Sequence, residues 1–197
     1  MAKRESNLIN MALTLFVITA VSSTALGFMY QLTKEPKAAA ELAKQNFAIK
    51  AVSVTDFDNN PSADTFTIES YDGGETLECY PATKNGELQS IAVKTWTLNG
   101  FSGLVRLMAG FDKAGNIIGI SVLEQKETPG LGSKMTNAEF KDQFNGKNPG
   151  TGILSVRKDG GEVDAITAAT ISSRAFTDAV NRAYQSLVMA GKISMTN

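Results

Sequence analysis

From Ser6 to Thr33 the chain carries no charged residue. The core of that run, Leu8 to Tyr30, would reach ~34 Å as an α-helix, enough to cross the hydrocarbon region of a bilayer. A run of this length and polarity is either a membrane anchor or a cleaved signal segment. Lys3 and Arg4 precede it and Ser23-Thr24-Ala25 has the small residues of a cleavage site, yet the apolar character continues through Leu26 to Tyr30. A retained anchor is therefore the expectation. Lys34, Lys37 and Lys44 beyond the run balance Lys3 and Arg4 before it, so charge alone does not orient the segment.

The rest of the chain must fold outside the bilayer. Pro36 suits a first helical position, and the Ala-, Glu- and Lys-rich stretch after it predicts a juxtamembrane helix to about Lys50. Short β-branched or alternating segments follow at Ala51 to Thr55, Thr65 to Ser70, Thr76 to Pro81 and Ser90 to Leu98, separated by turn residues such as Asp72-Gly-Gly74 and Lys84-Asn-Gly86. Leu104 to Phe111 and Asn116 to Leu123 flank Asp112-Lys-Ala-Gly115 as a further hairpin. Thr136-Asn-Ala-Glu139 has the form of a capping box and predicts a short helix over Asn137 to Asn145, with Phe140 and Phe144 turned to the core. Val163 to Ile166 suits a strand end. Ala175, Phe176, Ala179, Val180, Ala183, Tyr184, Leu187 and Val188 then recur in pairs every four residues, which predicts a helix from near Ser172 that ends at Gly191. The fold class that follows is α+β: one transmembrane helix, then a domain built on an antiparallel sheet with packed helices.

What the chain lacks narrows its chemistry. It has no His and a single Cys, Cys79. A haem site, a multi-cysteine iron–sulfur cluster or a His-rich zinc site cannot be built from it alone, and no metal site or histidine-based catalysis is expected. A net charge of −1 with no basic cluster gives no footprint for nucleic acid. Any redox group must be organic and supplied from outside.

Two stretches stand out as candidate binding elements. Asp164-Ala-Ile-Thr-Ala-Ala-Thr-Ile-Ser-Ser173 sets Thr170, Ser172 and Ser173 at a helix N-terminus, where open amides and the positive dipole end favour an anion such as a phosphate, or where a hydroxyl simply caps the helix. Glu127-Thr-Pro-Gly-Leu-Gly-Ser-Lys134 is a turn whose glycines allow a backbone to approach a flat ligand closely, with Lys134 available to offset negative charge. Trp96 could flank a ring or pack in a strand.

Asp164-x-x-Thr167-x-Ala169-Thr170 resembles the flavinylation motif of the FMN-binding domain found in the G component of Rnf electron-transport complexes (RnfG) and in the C component of the sodium-translocating NADH:quinone oxidoreductase (NqrC). Glu127-Thr128-Pro129-Gly130-Leu131-Gly132 matches a second motif of that family, and Gly100-Phe-Ser102-Gly103 resembles its glycine-containing segment before the hairpin. The resemblance covers Gly100 to Gly191. It implies FMN bound covalently through a phosphodiester on Thr170, with Asp164, Thr167 and Ala169 as the residues read by a flavin transferase and Ala168, Ser172, Ser173 and Lys134 close by. Ala168 stands where the family usually has Gly, and this chain is expected to hold there a conformation an alanine adopts without strain.

On this resemblance the chain divides into a tail (1–7), a transmembrane helix (8–30), a juxtamembrane helix or linker (31–50) and an FMN-binding domain (51–197). Its implied role is an electron carrier with no catalytic residue of its own, partnered by the other membrane subunits of an ion-translocating Rnf-type ferredoxin:NAD oxidoreductase. It would be a single-pass protein of the inner membrane with the domain extracytoplasmic. Length favours RnfG over NqrC. A membrane-anchored interaction module without flavin is the alternative from another class. A hydrolase using Thr170 has no His to activate it.

Overall fold

The computed structural model describes residues 7–152 and 154–193, so all of the expected N-terminal tail except Asn7 lies outside the described residues. The chain divides into two compact units, one ending at Ala43 and the other starting at Lys44.

Helix α1 spans Leu8–Val52 and contains Pro36. The helix expected to start at Pro36 is thus not a separate element, although a proline there removes one i→i−4 hydrogen bond. In the first unit the apolar side chains from Leu8 to Tyr30 are exposed, and the helix is long and apolar enough to cross a membrane. Its threonines are suited to that setting. Thr14, Thr19, Thr24 and Thr33 each donate their hydroxyl to a carbonyl one turn back, so none presents an open donor.

The second unit is α+β. Its sheet contains β1 (Phe66–Ile68), β2 (Leu77–Lys84), β3 (Glu87–Gly100), β4 (Gly103–Asp112) and β5 (Ile117–Gln125) in the order β1-β2-β3-β4-β5. Every neighbouring pair is antiparallel. Asn85 and Gly86, at φ 51° and 79°, make the two-residue turn that joins β2 to β3, the arrangement that matches the twist of a hairpin. Phe101 and Ser102 form the tip between β3 and β4, closed by the Gly100–Gly103 pair. After β5 come short turns of helix, including α2 (Ala138–Lys141), and then α3 (Thr170–Met189).

One face of the sheet carries α3. Phe176, Ala179, Val180, Ala183 and Leu187 are buried with Leu77, Ile91, Val93, Leu107 and Phe111 of the strands, as the four-residue recurrence requires. Phe140, Phe144 and Phe176 meet there with ring centroids 4.9 to 5.7 Å apart. Each such ring contributes about 1.5–3 kcal/mol by leaving water. Helix α3 closes with Gly191 at φ +64°: Gly191 N–H donates to Val188 and Lys192 N–H to Leu187, the paired bonds of a glycine C-terminal cap. On the opposite face Ala48, Ile49 and Val52 of α1 lie on Tyr80, Ala92 and Met108.

Three local expectations are corrected. Ala51 to Thr55 is no strand but the end of α1 and an irregular stretch. Val52 is driven down onto the sheet at Gly110, where a Cβ would come within 1.7 Å of the Val52 carbonyl oxygen. The capping box at Thr136 does not form, because the Thr136 hydroxyl donates to Ser133 O at 2.9 Å and Asn137 is the N-cap of α2, without a side-chain bond. Val163 to Ile166 gives only an isolated bridge, Val156 to Val163, since the next residue is satisfied by a side chain: Gln143 accepts from the Asp164 N–H at 2.8 Å and donates to its carbonyl at 3.1 Å.

Candidate functional site

Three separate segments converge at the start of α3. The β3–β4 tip contributes Phe101, the loop after β5 contributes Glu127, Thr128, Leu131 and Gly132, and the helix start contributes Ala168, Ala169, Thr170, Ile171 and Ser172. Together they line a cleft of about 310 Å³. This volume lies at the small end of the ~300–1,000 Å³ range of ligand pockets, room for one flat ring system.

Each segment has a reason to be where it is. Pro129 and Gly130 are the central residues of a turn in which Leu131 N–H donates to Thr128 O at 3.1 Å, and Gly130 takes φ +77° as the third residue of such a turn requires. Ser133 Oγ accepts from the Gly130 amide and closes the loop. Gly132 must lack a side chain, because a Cβ there would sit 2.4 Å from Ser172 Oγ and 2.6 Å from Glu127 Oε2. Gly100 is confined in the same way, 2.7 Å from Glu127 Oε1. The hairpin tip, the loop and the helix start therefore interlock around Glu127.

The helix start is built unlike an ordinary cap. Ala169, at φ −135°, is the N-cap of α3 and makes no side-chain hydrogen bond. Two of the three hydroxyls in the expected cluster are used elsewhere. Ser173 Oγ accepts from Ile166 N–H and donates to Ala169 O, whereas Ser172 Oγ donates to Glu127 Oε2 at 2.6 Å. The amides of Thr170, Ile171 and Ser172 precede the first i→i−4 bond, from Ser173 N to Ala169 O, and have no acceptor among the described residues, so they are open on residues that line the cleft. Thr170 is half-buried, and its hydroxyl has no partner among the described residues.

Ala168 sits at φ +59°. It is the third residue of a turn from Ile166 to Ala169, closed by Ala169 N–H to Ile166 O at 2.9 Å. The expectation that this alanine avoids strain is overturned, since a Cβ in the left-handed region costs ~1 kcal/mol or more. A glycine would hold the same position at no steric cost.

The remaining expected site residues fall elsewhere. Asp164, Thr167 and Lys134 line a second groove of about 410 Å³ with Asn137, Glu139 and Gln143. Asp164 is exposed and paired with Arg157, whose guanidinium it pushes up chiefly through their hydrogen bond. Arg174 of α3 binds Asp159 through two 2.7 Å hydrogen bonds, which hold the Asp159 carboxyl below its usual range. Ser173 is fully buried and serves the turn. Ser102 donates its amide to Glu127 Oε1 at 3.0 Å, and Gly103, at φ +93°, starts β4. Trp96 is not at the cleft; Arg182 lies over its ring, 4.8 Å from the centroid.

Sequence reasoning missed Phe101 and Ile171. Both line the cleft, and they are 67% and 49% exposed, with Leu131 at 40%. An aromatic at the tip of a two-residue hairpin loop was the available signal, because a turn has no core of its own to bury it in.

A cleft with apolar walls and open helix amides suits a flat ring bearing a phosphate. Residues 100–185 match the family model described as FMN-binding domain. The chain is 34% identical over 190 residues to the G subunit of the Na⁺-translocating ferredoxin:NAD⁺ oxidoreductase complex of Acetobacterium woodii, covering 89% of each chain. It is also 34% identical over 180 residues to the G subunit of the ion-translocating oxidoreductase complex of Stutzerimonas stutzeri, covering 88% of this chain and 78% of that one. Among solved structures, NqrC of Shewanella oneidensis aligns with a TM-score of 0.47 at 17% identity, over 73% of this chain and 71% of that chain. By its identity to these G subunits across most of their length and its own, the chain belongs to the family of G subunits of ion-translocating oxidoreductase complexes.

Proposed function

We propose that this chain is the membrane-anchored electron-carrier subunit of an Rnf-type ferredoxin:NAD oxidoreductase complex, with FMN joined through its phosphate to Thr170. The observation that carries this reading is the Thr170 hydroxyl, without a partner among the described residues, in an uncapped first turn beside the cleft. The three open amides there favour the negative charge a phosphodiester retains, by about 0.3–1 kcal/mol from the helix dipole. Phe101, Leu131 and Ile171 provide apolar surface against which a ring lies, and Gly100 and Gly132 let the hairpin tip and the loop close around Glu127 beside it. FMN supplies the redox chemistry when bound; the chain supplies orientation and electrostatics.

Helix α1 anchors the chain as a single span, with the domain outside the cytoplasm. There a covalent link keeps a cofactor that mass action would otherwise strip from a reversible site. Asp164 and Thr167, exposed on the second groove, are the part of the motif that a flavin transferase can read from outside the cleft. The carrier's partners are the other membrane subunits of the complex.

The test is a denaturing gel of the purified chain viewed under ultraviolet light, followed by mass spectrometry of the labelled peptide. Wild type is expected to fluoresce and Thr170→Ala to be dark. Finding FMN on Thr167 or Ser172 instead would overturn the assignment.

A further inference from the structure

Glu127 is 4% exposed, yet it has no Lys or Arg partner among the described residues. Both carboxylate oxygens are occupied by neutral donors. Oε1 takes the Ser102 N–H at 3.0 Å and Oε2 takes the Ser172 hydroxyl at 2.6 Å. Its own amide is held by Gln125 Oε1 at 2.7 Å. A buried carboxylate without a countercharge costs stability. The fold supplies such a partner to another acid, Asp72, which meets Arg182. Around Glu127 the backbone closes down instead: Gly100 and Gly132 leave no room for a Cβ beside its two oxygens.

Two consequences follow from this geometry. The hairpin tip that carries Phe101 is tied to α3 through one side chain, so the position of an exposed aromatic over the cleft depends on Glu127. The wall of the cleft also holds a charge that no Lys or Arg among the described residues pairs with. In a low-dielectric cleft such a charge opposes further negative charge on whatever occupies it.

We propose that Glu127 is the positioning residue that fixes the β3–β4 tip against the helix start, and that its uncompensated charge biases the cleft toward the oxidised form of the bound flavin. The proposal rests on the reading that FMN occupies this cleft. Glu127 need not touch the ring for either effect. Its chemistry is to hold Ser102 N–H and Ser172 O–H in place and to disfavour each electron added beside it.

The full chain in detergent is compared with Glu127→Gln, Glu127→Asp and Glu127→Ala by three measurements: gel fluorescence, hydrogen exchange at the Ser102 amide, and reductive titration against a reference dye. Gln keeps an acceptor for Ser102 and removes the charge. It is expected to keep Ser102 protection while raising the reduced-to-oxidised ratio at fixed poise tenfold or more, about 59 mV for a one-electron step. Asp keeps the charge but draws it back, so Ser102 exchange accelerates several-fold and the ratio moves less than in Gln. Ala loses the tie and the charge, and Ser102 exchange rises tenfold or more.

A flavin-loaded Glu127→Gln with an unchanged ratio would overturn the electrostatic role. Wild-type exchange at Ser102 in both Asp and Ala variants would overturn the positioning role. Should Ala fail to fold, Asp and Gln decide both points. Wild type without any bound flavin would instead remove the functional reading and the electrostatic role with it, while exchange at Ser102 in the flavin-free chain still decides the tie.

Discussion

Ala168 holds a conformation that its own side chain disfavours, and the reason lies in its neighbours. Ile166 O receives the Ala169 amide and Ile166 N is held by Ser173 Oγ, so the turn is fixed from both sides before residue 168 is chosen. Ala168→Gly should therefore raise stability by at most ~1 kcal/mol, the relief of the Cβ clash partly offset by the freer unfolded chain. Ala168→Val should lower it by more than about 1 kcal/mol, since a β-branched residue fits the left-handed region worse still. Thermal unfolding of the full chain in detergent checks the order Gly, Ala, Val; a valine variant as stable as wild type would rule out the positive φ. A second residue-scale prediction concerns Asp72. The Ser70 hydroxyl first, and then the Gly74 amide and Arg182, hold its carboxyl below the usual range. A depressed carboxyl contributes stability that is present above its unfolded value and lost as pH falls through the folded one. Asp72→Asn should cost about 1–2 kcal/mol at pH 7, discounted because Asp72 is a third exposed, and the gap to wild type should narrow steadily below about pH 4. Melting curves from pH 7 to pH 3 decide it, and a gap that stays constant across that range would assign the cost to packing. Cys79 needs no such account, as burial pushes its thiol up to about 12 and leaves it unreactive.

At the scale of elements, what could be read in advance was whatever the chain encodes locally. The β2–β3 turn is legible because Asn85-Gly86 tolerates positive φ, and α3 is legible because its apolar pairs keep a four-residue spacing onto one sheet face. The errors occur where a distant residue decides. Val52 and Val54 have strand character, but Gly110 of β4 opens a hollow that admits the last turn of α1, and no local pattern announces a glycine's effect 58 positions away. Val163 to Ile166 reads as strand, yet the Gln143 side chain takes both backbone groups of Asp164 that a neighbouring strand would have bonded. The cleft divides along the same line. Its glycines and hydroxyls were visible as two stretches, Glu127 to Lys134 and Asp164 to Ser173, and the fold brings part of each together. It also splits them, since Asp164, Thr167 and Lys134 lie on the second groove. That division depends on the Ile166–Ala169 turn, which sets Thr167 and Thr170 on different sides, and a linear motif does not reveal it. Phe101 belongs to the cleft for a tertiary reason too, because Ser102 is tied to Glu127 25 residues on.

At the scale of the whole molecule, the issue is how electrons reach a ring held in such a cleft. Hydride transfer from a soluble nicotinamide demands that its ring stack within about 3–3.5 Å of the acceptor and that the site hold the rest of the dinucleotide in register. No Gly-x-Gly-x-x-Gly segment follows a strand and opens a helix in this sequence. A cleft of 310 Å³ has room for one ring system, and the second groove lies across the Thr167 turn from it. What lines the cleft instead is apolar surface: Phe101, Leu131 and Ile171 are all substantially exposed. Surface of that kind suits contact with a neighbouring protein better than a charged dinucleotide. The carrier should therefore exchange electrons with protein partners and stay inert to free NADH. Flavin-loaded full-length chain, held anaerobic in detergent, should keep its absorbance unchanged for many minutes in excess NADH and then bleach on addition of dithionite. Rapid bleaching by NADH alone would mean that the cleft admits a nicotinamide ring, and the apolar border would then have to be read as a nucleotide site and not as the contact surface of a relay.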